Sequence, residues 1–215
     1  MTPALQSHAM LALCRSSPVI PVLVIESVDE AAPLALALRE GGLPVLEVTL
    51  RTPAALDAIS AMARVPGVRV GAGTVLSAHD AARAKAAGAE FVVAPGATPG
   101  LVAASVAQEL PLMPGAATAS EVMTLQERGY SMLKFFPAEA AGGTRMLSAL
   151  AGPLPRARFC PTGGITAERA PDYLRLRNVV CVGGSWIAPP QMVAARDWQG
   201  ITALARAAAS LSRGS

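Results

Sequence analysis

A chain of 215 residues that is 52% hydrophobic and only 15% charged can bury one large core, which excludes a disordered chain and predicts a single domain over 1–215. The net charge of +3 is spread thinly, with local basic runs only at 155–158 (PRAR) and 175–177 (RLR) and no aromatic residues interleaved within them, so no nucleic-acid partner is expected and small anionic ligands remain open. Cys14, Cys160 and Cys181 are odd in number and far apart, His8 and His79 are the two histidines, and no apolar run reaches signal-peptide or membrane-span length; the expectation is no disulfide framework, no metal site, no membrane partner and a cytoplasmic location.

After an N-terminal helix over about 3–14, short β-branched runs alternate with Ala/Leu-rich stretches of helical spacing, about eight times. Residues 18–25 (PVIPVLVI) read as a strand, followed by a helix near 29–40 that Gly41 and Gly42 end. Residues 44–50 (PVLEVTL) precede a helix from about 53, and 68–73 (VRVGAG) precede one from Ser77, which can cap it while Asp80 completes a capping box. Strands at 90–95, 111–115 and 131–136 lead to helices near 99–108, 119–128 and 143–150. Strands at 157–161 and 179–184 lead to helices near 167–174 and 197–212.

Strands separated by helices lie parallel, and eight such units without a break in composition predict an α/β chain, a (β/α)8 TIM barrel with the N-terminal helix as an extra. An open parallel sheet is the alternative. In the barrel, chemistry gathers at the C-terminal strand ends. Those ends hold Glu47, Thr49 and Arg51, then Gly71, Gly73 and Thr74, then Pro95, then Lys134 and Phe136, then Thr162, Gly163 and Gly164, then Gly183, Gly184 and Ser185.

Lys134 is one of only two lysines, the other being Lys85, against sixteen arginines, and it lies among Met132, Leu133, Phe135 and Phe136, where desolvating an ammonium is costly. Strand alternation groups Val45, Glu47, Thr49 and Arg51 on one face and Met132, Lys134 and Phe136 on another, so Glu47, Arg51 and Lys134 are expected to point into the barrel near its rim. A buried charge cluster that merely holds the strands together is the competing account. Ion pairs are poor stabilisers next to apolar packing, however, and a lysine in apolar surroundings beside a second cation loses its proton readily and can attack a ketone. Two Gly-Gly loops after the last two strands, TGGI at 162–165 and GGS at 183–185, have the form of a backbone phosphate site at a helix start, to which Ser185 can add a hydroxyl.

EVTLRT at 47–52, GAGTVL at 71–76, KFFPAE at 134–139, FCPTGGI at 159–165 and GGSW at 183–186 together resemble the bacterial 2-keto-3-deoxy-6-phosphogluconate (KDPG) aldolase family, which also acts on 4-hydroxy-2-oxoglutarate (KHG). The resemblance runs from about residue 18 to the C-terminus. It implies a class I aldolase that needs no metal or other cofactor, a homotrimer of barrels, and a phosphorylated keto acid and pyruvate as small-molecule partners. By position, Lys134 matches the Schiff-base lysine, Glu47 the general acid/base and Arg51 the carboxylate-holding arginine. Thr74, Pro95 and Phe136 match the pyruvate pocket; Gly163, Gly164, Gly184 and Ser185 match the phosphate subsite, and Thr162 beside them is expected to bind substrate. Where some relatives have an arginine after the first strand, this chain has Ile25, Glu26 and Ser27. Two alternatives stay open: a 2-dehydro-3-deoxy-6-phosphogalactonate aldolase, to which FPAE and CPTGGI are less similar, and a silent barrel that senses a phosphorylated sugar, against which Glu47, Arg51 and Lys134 stand together.

Overall fold

The computed structural model describes residues 1–212 of the chain; the last residues of the expected 1–215 domain lie outside the described residues. In chain order the elements are α1 (Pro3–Arg15), β1 (Val19–Leu23), α2 (Val28–Glu40), β2 (Val45–Thr49), α3 (Ala55–Met62), β3 (Arg69–Gly73), α4 (Ala78–Ala86), β4 (Val92–Val93), α5 (Pro99–Ala107) and β5 (Leu112–Met113). They continue with β6 (Gly115–Ala116), α6 (Ala119–Glu127), β7 (Met132–Phe135), α7 (Gly143–Ala151), β8 (Arg158–Pro161), α8 (Ala170–Leu174), β9 (Val182–Gly184), α9 (Pro190–Ala194) and α10 (Trp198–Ala209).

All strand pairings are parallel, in a six-stranded sheet of order β5-β4-β3-β2-β1-β9 and a three-stranded sheet β6-β7-β8. The expected strand at 111–115 is cut in two at Pro114, which has no N–H to give to a ladder, so β5 pairs back to β4 and β6 forward to β7. On the other side β8 and β9 meet at single parallel bridges, Phe159 with Val179 and Thr162 with Gly183. The result is an α/β fold with a curled parallel sheet.

Alternation along the strands sorts the core into two groups. Leu46, Val48, Val70, Ala72, Val92, Leu133 and Phe135 face outward and join the apolar sides of the helices in one cluster. Ile20, Val45, Phe91, Val93, Met113, Met132, Cys160 and Cys181 face inward in a second cluster, completed by Met10, Leu13 and Cys14 of α1, which packs on β5 and β7. Ser7 fixes α1 in place, its hydroxyl accepting from the Ser131 and Met132 amides at 2.8 Å each. Gln6 Oε1 accepts from the Tyr130 hydroxyl at 2.6 Å.

Local signals mark most helix starts. Thr98 and Thr118 cap α5 and α6, the latter with the reciprocal box to Glu121. At α4, Ser77 accepts from the Asp80 amide as expected, but the Asp80 carboxylate reaches back to the Leu76 amide at 3.2 Å rather than to that of Ser77. Among the described residues, no helix is long and apolar enough to cross a membrane.

Candidate active site

On β2 the inward positions are Val45, Glu47 and Thr49, and Glu47 is 1% exposed although it carries a carboxylate. A glycine on the adjacent strand, two positions beyond its register partner Gly71, makes the room. Thr49 pairs with Gly73 of β3, and a Cβ added at Gly73 would lie 2.2 Å from Glu47 Oε1. Gly71 does the same for the Phe91 ring one layer deeper, with a would-be Cβ at 2.3 Å. Only glycine lets these side chains cross the inside of the curl, a requirement visible once strand register is known.

From β7, Lys134 enters the same space. It is 5% exposed; its Nζ donates to Glu47 Oε1 at 3.1 Å and stands 5.4 Å from the centre of the Phe136 ring. Below the pair lies Cys160, in register with Lys134 on β8. A hydrogen bond with Cys181, together with burial, holds the Cys160 thiol well above its ordinary range, so it is a neutral thiol and no competing charge. An amine and a carboxylate 3.1 Å apart, enclosed by apolar groups, can pass a proton between them without a solvent intermediary.

Arg51 departs from expectation. Strand β2 ends at Thr49, the Arg51 amide turns back to the Thr49 carbonyl at 2.8 Å, and the alternation that was to carry the guanidinium inward stops there. Arg51 is exposed at the rim, its Nε donating to the Thr74 hydroxyl at 3.2 Å. Thr74 itself has φ of 58°, a left-handed conformation that costs a β-branched residue energy and that structures tolerate mainly at functional positions. Pro95, half-buried, ends the β4 segment, and its carbonyl group lies where a Cβ on Gly115 would fall, 2.2 Å away. Phe136 lies under the Lys134 amine.

The glycine loops lie side by side, because Thr162 bridges to Gly183 and a Cβ there would meet Thr162 Oγ1 at 2.3 Å. Gly163 and Gly164 have φ of 106° and 79°, open to glycine and strained for other residues. Gly184 packs against the Trp186 ring, and Ser185 is exposed. No helix opens at these glycines: turns follow Gly164 and α8 begins only at Ala170, while α9 begins at Pro190. An anion held here would depend on backbone N–H groups and the Ser185 hydroxyl, without a helix terminus behind them.

Lys134, Glu47 and Phe136 are thus brought together, Gly163 packs against the Phe136 ring, and Arg51 with Thr74 forms a separate pair on the rim next to Gly73. Among the described residues no group of three or more His, Cys, Asp or Glu could hold a metal ion. Two residues that sequence reasoning left without a role belong to the surroundings of the site: Gly73, and Glu139, which packs against Gly164.

The family model for aldolases of the KDPG and KHG type matches residues 10–204. The KHG/KDPG aldolase of Escherichia coli is 49% identical over 194 residues, covering 90% of this chain and 91% of the relative. Among solved structures, the 2-keto-3-deoxy-6-phosphogluconate aldolase of Zymomonas mobilis with 3-phosphoglycerate superposes with a TM-score of 0.91 at 49% identity, covering 96% of this chain and 98% of the other. The KDPG aldolase of Legionella pneumophila, with pyruvate captured as a covalent carbinolamine intermediate, gives a TM-score of 0.90 at 47% identity, with 93% and 98% covered.

Proposed function

This chain belongs to the KDPG and KHG aldolase family, and on that premise we propose that it is a class I aldolase in which Lys134 forms the Schiff base and Glu47 moves the protons. Its substrate is 2-dehydro-3-deoxy-6-phosphogluconate, cleaved to pyruvate and glyceraldehyde 3-phosphate, with 4-hydroxy-2-oxoglutarate cleaved to pyruvate and glyoxylate by the same route. The observation that carries the reading is the Lys134 amine, 5% exposed and 3.1 Å from the Glu47 carboxylate.

The contact suggests the order of events. Glu47 takes a proton from the Lys134 ammonium, and the neutral amine adds to the C2 carbonyl to give a carbinolamine. Glu47 returns its proton to the departing hydroxyl, water leaves, and a protonated imine remains. The carboxylate then accepts the C4 hydroxyl proton, the bond from C3 to C4 breaks, and its electron pair moves into the imine as an enamine while the aldehyde departs. Glu47 protonates C3, water adds to the imine carbon, and pyruvate is released with the amine restored. One carboxylate suffices because at each step it holds what the next one needs.

Arg51 binds the substrate carboxylate with its planar fork, and Thr74 holds the guanidinium ready through the 3.2 Å bond to Nε. Thr74, Pro95 and Phe136 line the pyruvate pocket. Thr162, the amides of Gly163, Gly164 and Gly184, and the Ser185 hydroxyl receive the phosphate. The same reading takes the curled sheet as a (β/α)8 barrel in one domain, with α1 as an additional helix at its N-terminal end, three such chains forming a homotrimer in the cytoplasm.

Pyruvate release, coupled to lactate dehydrogenase, tests the function with purified protein and three substrates: the gluconate compound, its galactonate epimer at C4, and 4-hydroxy-2-oxoglutarate. Turnover of the gluconate compound and of 4-hydroxy-2-oxoglutarate is expected, with the galactonate epimer slower. No pyruvate from any substrate would overturn the reading, and preference for the epimer would move the chain to the galactonate activity.

A further inference from the structure

The loop that follows Lys134 and the loop that carries Gly163 and Gly164 are stitched together. The Ala138 amide donates to the Thr162 carbonyl at 2.8 Å and the Glu139 amide to the Gly163 carbonyl at 3.1 Å. A Cβ on Gly164 would lie 3.0 Å from the Glu139 Cβ and Cγ, so the glycine backbone rests directly on that side chain. The Glu139 carboxylate is anchored in turn from α8 and the turn before it: Oε1 accepts from the Tyr173 hydroxyl at 2.5 Å, and Oε2 lies 3.3 Å from Arg169 Nη2. Tyr173 is wholly buried, and burial followed by the Glu139 contact pushes its hydroxyl far above the ordinary tyrosine range, so it stays a donor at any pH the protein meets.

From this geometry we propose that Glu139 is a positioning residue that fixes the Gly163 and Gly164 amides relative to Lys134, and thereby sets the affinity for the phosphate end of the substrate while leaving the carbon chemistry untouched. The inference rests on the aldolase reading above. A turn with two glycines at positive φ is soft by itself, since glycine populates many conformations, and α8 starts too late to stiffen it. The stiffness comes from Glu139: its main chain holds one side of the turn and its side chain, tied to the buried Tyr173, forms the floor. Amides held in place bind an anion without a further ordering cost. The negative charge behind the loop is met by Arg169, so it does not repel the phosphate outright. Tyr173 lies 34 residues away in sequence, which is why the pairing cannot be read from the KFFPAE motif.

The experiment is steady-state kinetics of Glu139→Ala, Glu139→Gln and Tyr173→Phe on the phosphorylated gluconate compound and on unphosphorylated 4-hydroxy-2-oxoglutarate. Glu139→Ala should raise KM for the phosphorylated substrate about tenfold, equivalent to about 1.4 kcal/mol, with kcat changed less than about twofold. Glu139→Gln keeps an acceptor for Tyr173 and should recover most of the loss; Tyr173→Phe, which removes only the hydroxyl, should show the same KM effect in smaller measure. Kinetics on 4-hydroxy-2-oxoglutarate should match the parent in all three. Equal damage to both substrates, or no change with either, would overturn the proposal, and Tyr173→Phe decides it should the alanine variant fail to fold. A parent protein that releases pyruvate from neither substrate would instead refute the aldolase reading.

Discussion

Replacing Gly73 by alanine adds a single methyl group, and the structure converts that group into a displacement of the Glu47 carboxylate, the proposed proton carrier. The new Cβ would stand 2.2 Å from Glu47 Oε1, 2.7 Å from its Cγ and 2.8 Å from its Cδ, whereas ordinary contact begins at 3.4 Å. Glu47 must therefore retreat by the difference between 3.4 and 2.2 Å, about 1.2 Å. A side chain only 1% exposed has little space to do so without disturbing the 3.1 Å contact to Lys134. A misplacement of about 1 Å can cost about a hundredfold in rate, so kcat for pyruvate release should fall about a hundredfold, roughly 2.7 kcal/mol of barrier. Overpacking should also cost about 1–3 kcal/mol of stability, read from urea unfolding. Gly71→Ala is the control: it forces the same overlap on the Phe91 ring at 2.3 Å, so it should lose similar stability while kcat falls by less than about tenfold. The reasoning is refuted if Gly73→Ala keeps kcat within about threefold of the parent, or if Gly71→Ala damages kcat as severely.

Further perturbations address the ion pair, the rim and a helix cap. Lys134→Met should abolish activity and, by leaving a buried carboxylate without its partner, destabilise the protein by about 3 kcal/mol in urea; Lys134→Met with Glu47→Gln should regain at least half of that. Arg51→Lys keeps the charge but loses the fork, so KM for both keto acids should rise about tenfold with kcat nearly preserved in initial-rate assays. At α6, Thr118→Ala should cost about 1 kcal/mol of stability. Glu121 is held below its usual value of 4.5 chiefly by the Ala117 amide, so its contribution is full above that value and fades as pH falls through the lower folded value. Glu121→Gln should accordingly flatten the drop in Tm between about pH 5 and pH 3.

Strand alternation alone placed Glu47 and Lys134 inside, because burying one face fixes the other. It failed at Arg51 for a local reason: alternation holds only while the strand lasts, and β2 stops two residues earlier. The cut at Pro114 was written in the residue type, since a proline in a central strand removes a donor, but the two half-strands pair with different neighbours, which only the sheet order reveals. TGGI looked like a helix start because Gly-rich turns often precede one, whereas here the chain spends four more residues before Ala170. Gly73 and the contact from Glu139 to Tyr173 depend on register and on a contact between distant segments, neither of which periodicity encodes. The motifs name the candidate side chains, and the supports behind them follow from contacts between segments distant in sequence.

The central claim is that the Lys134 nitrogen becomes covalently joined to the substrate keto carbon. Borohydride reduction in the presence of pyruvate, followed by peptide mass spectrometry, tests it directly. The chain offers one other lysine for comparison, Lys85, which bonds to the Gln108 carbonyl at the protein surface. The account predicts loss of activity with one reduced pyruvate adduct on the peptide containing Lys134 and none on Lys85; an unmodified Lys134 in inactivated protein, or inactivation that tracks Lys85, would contradict it.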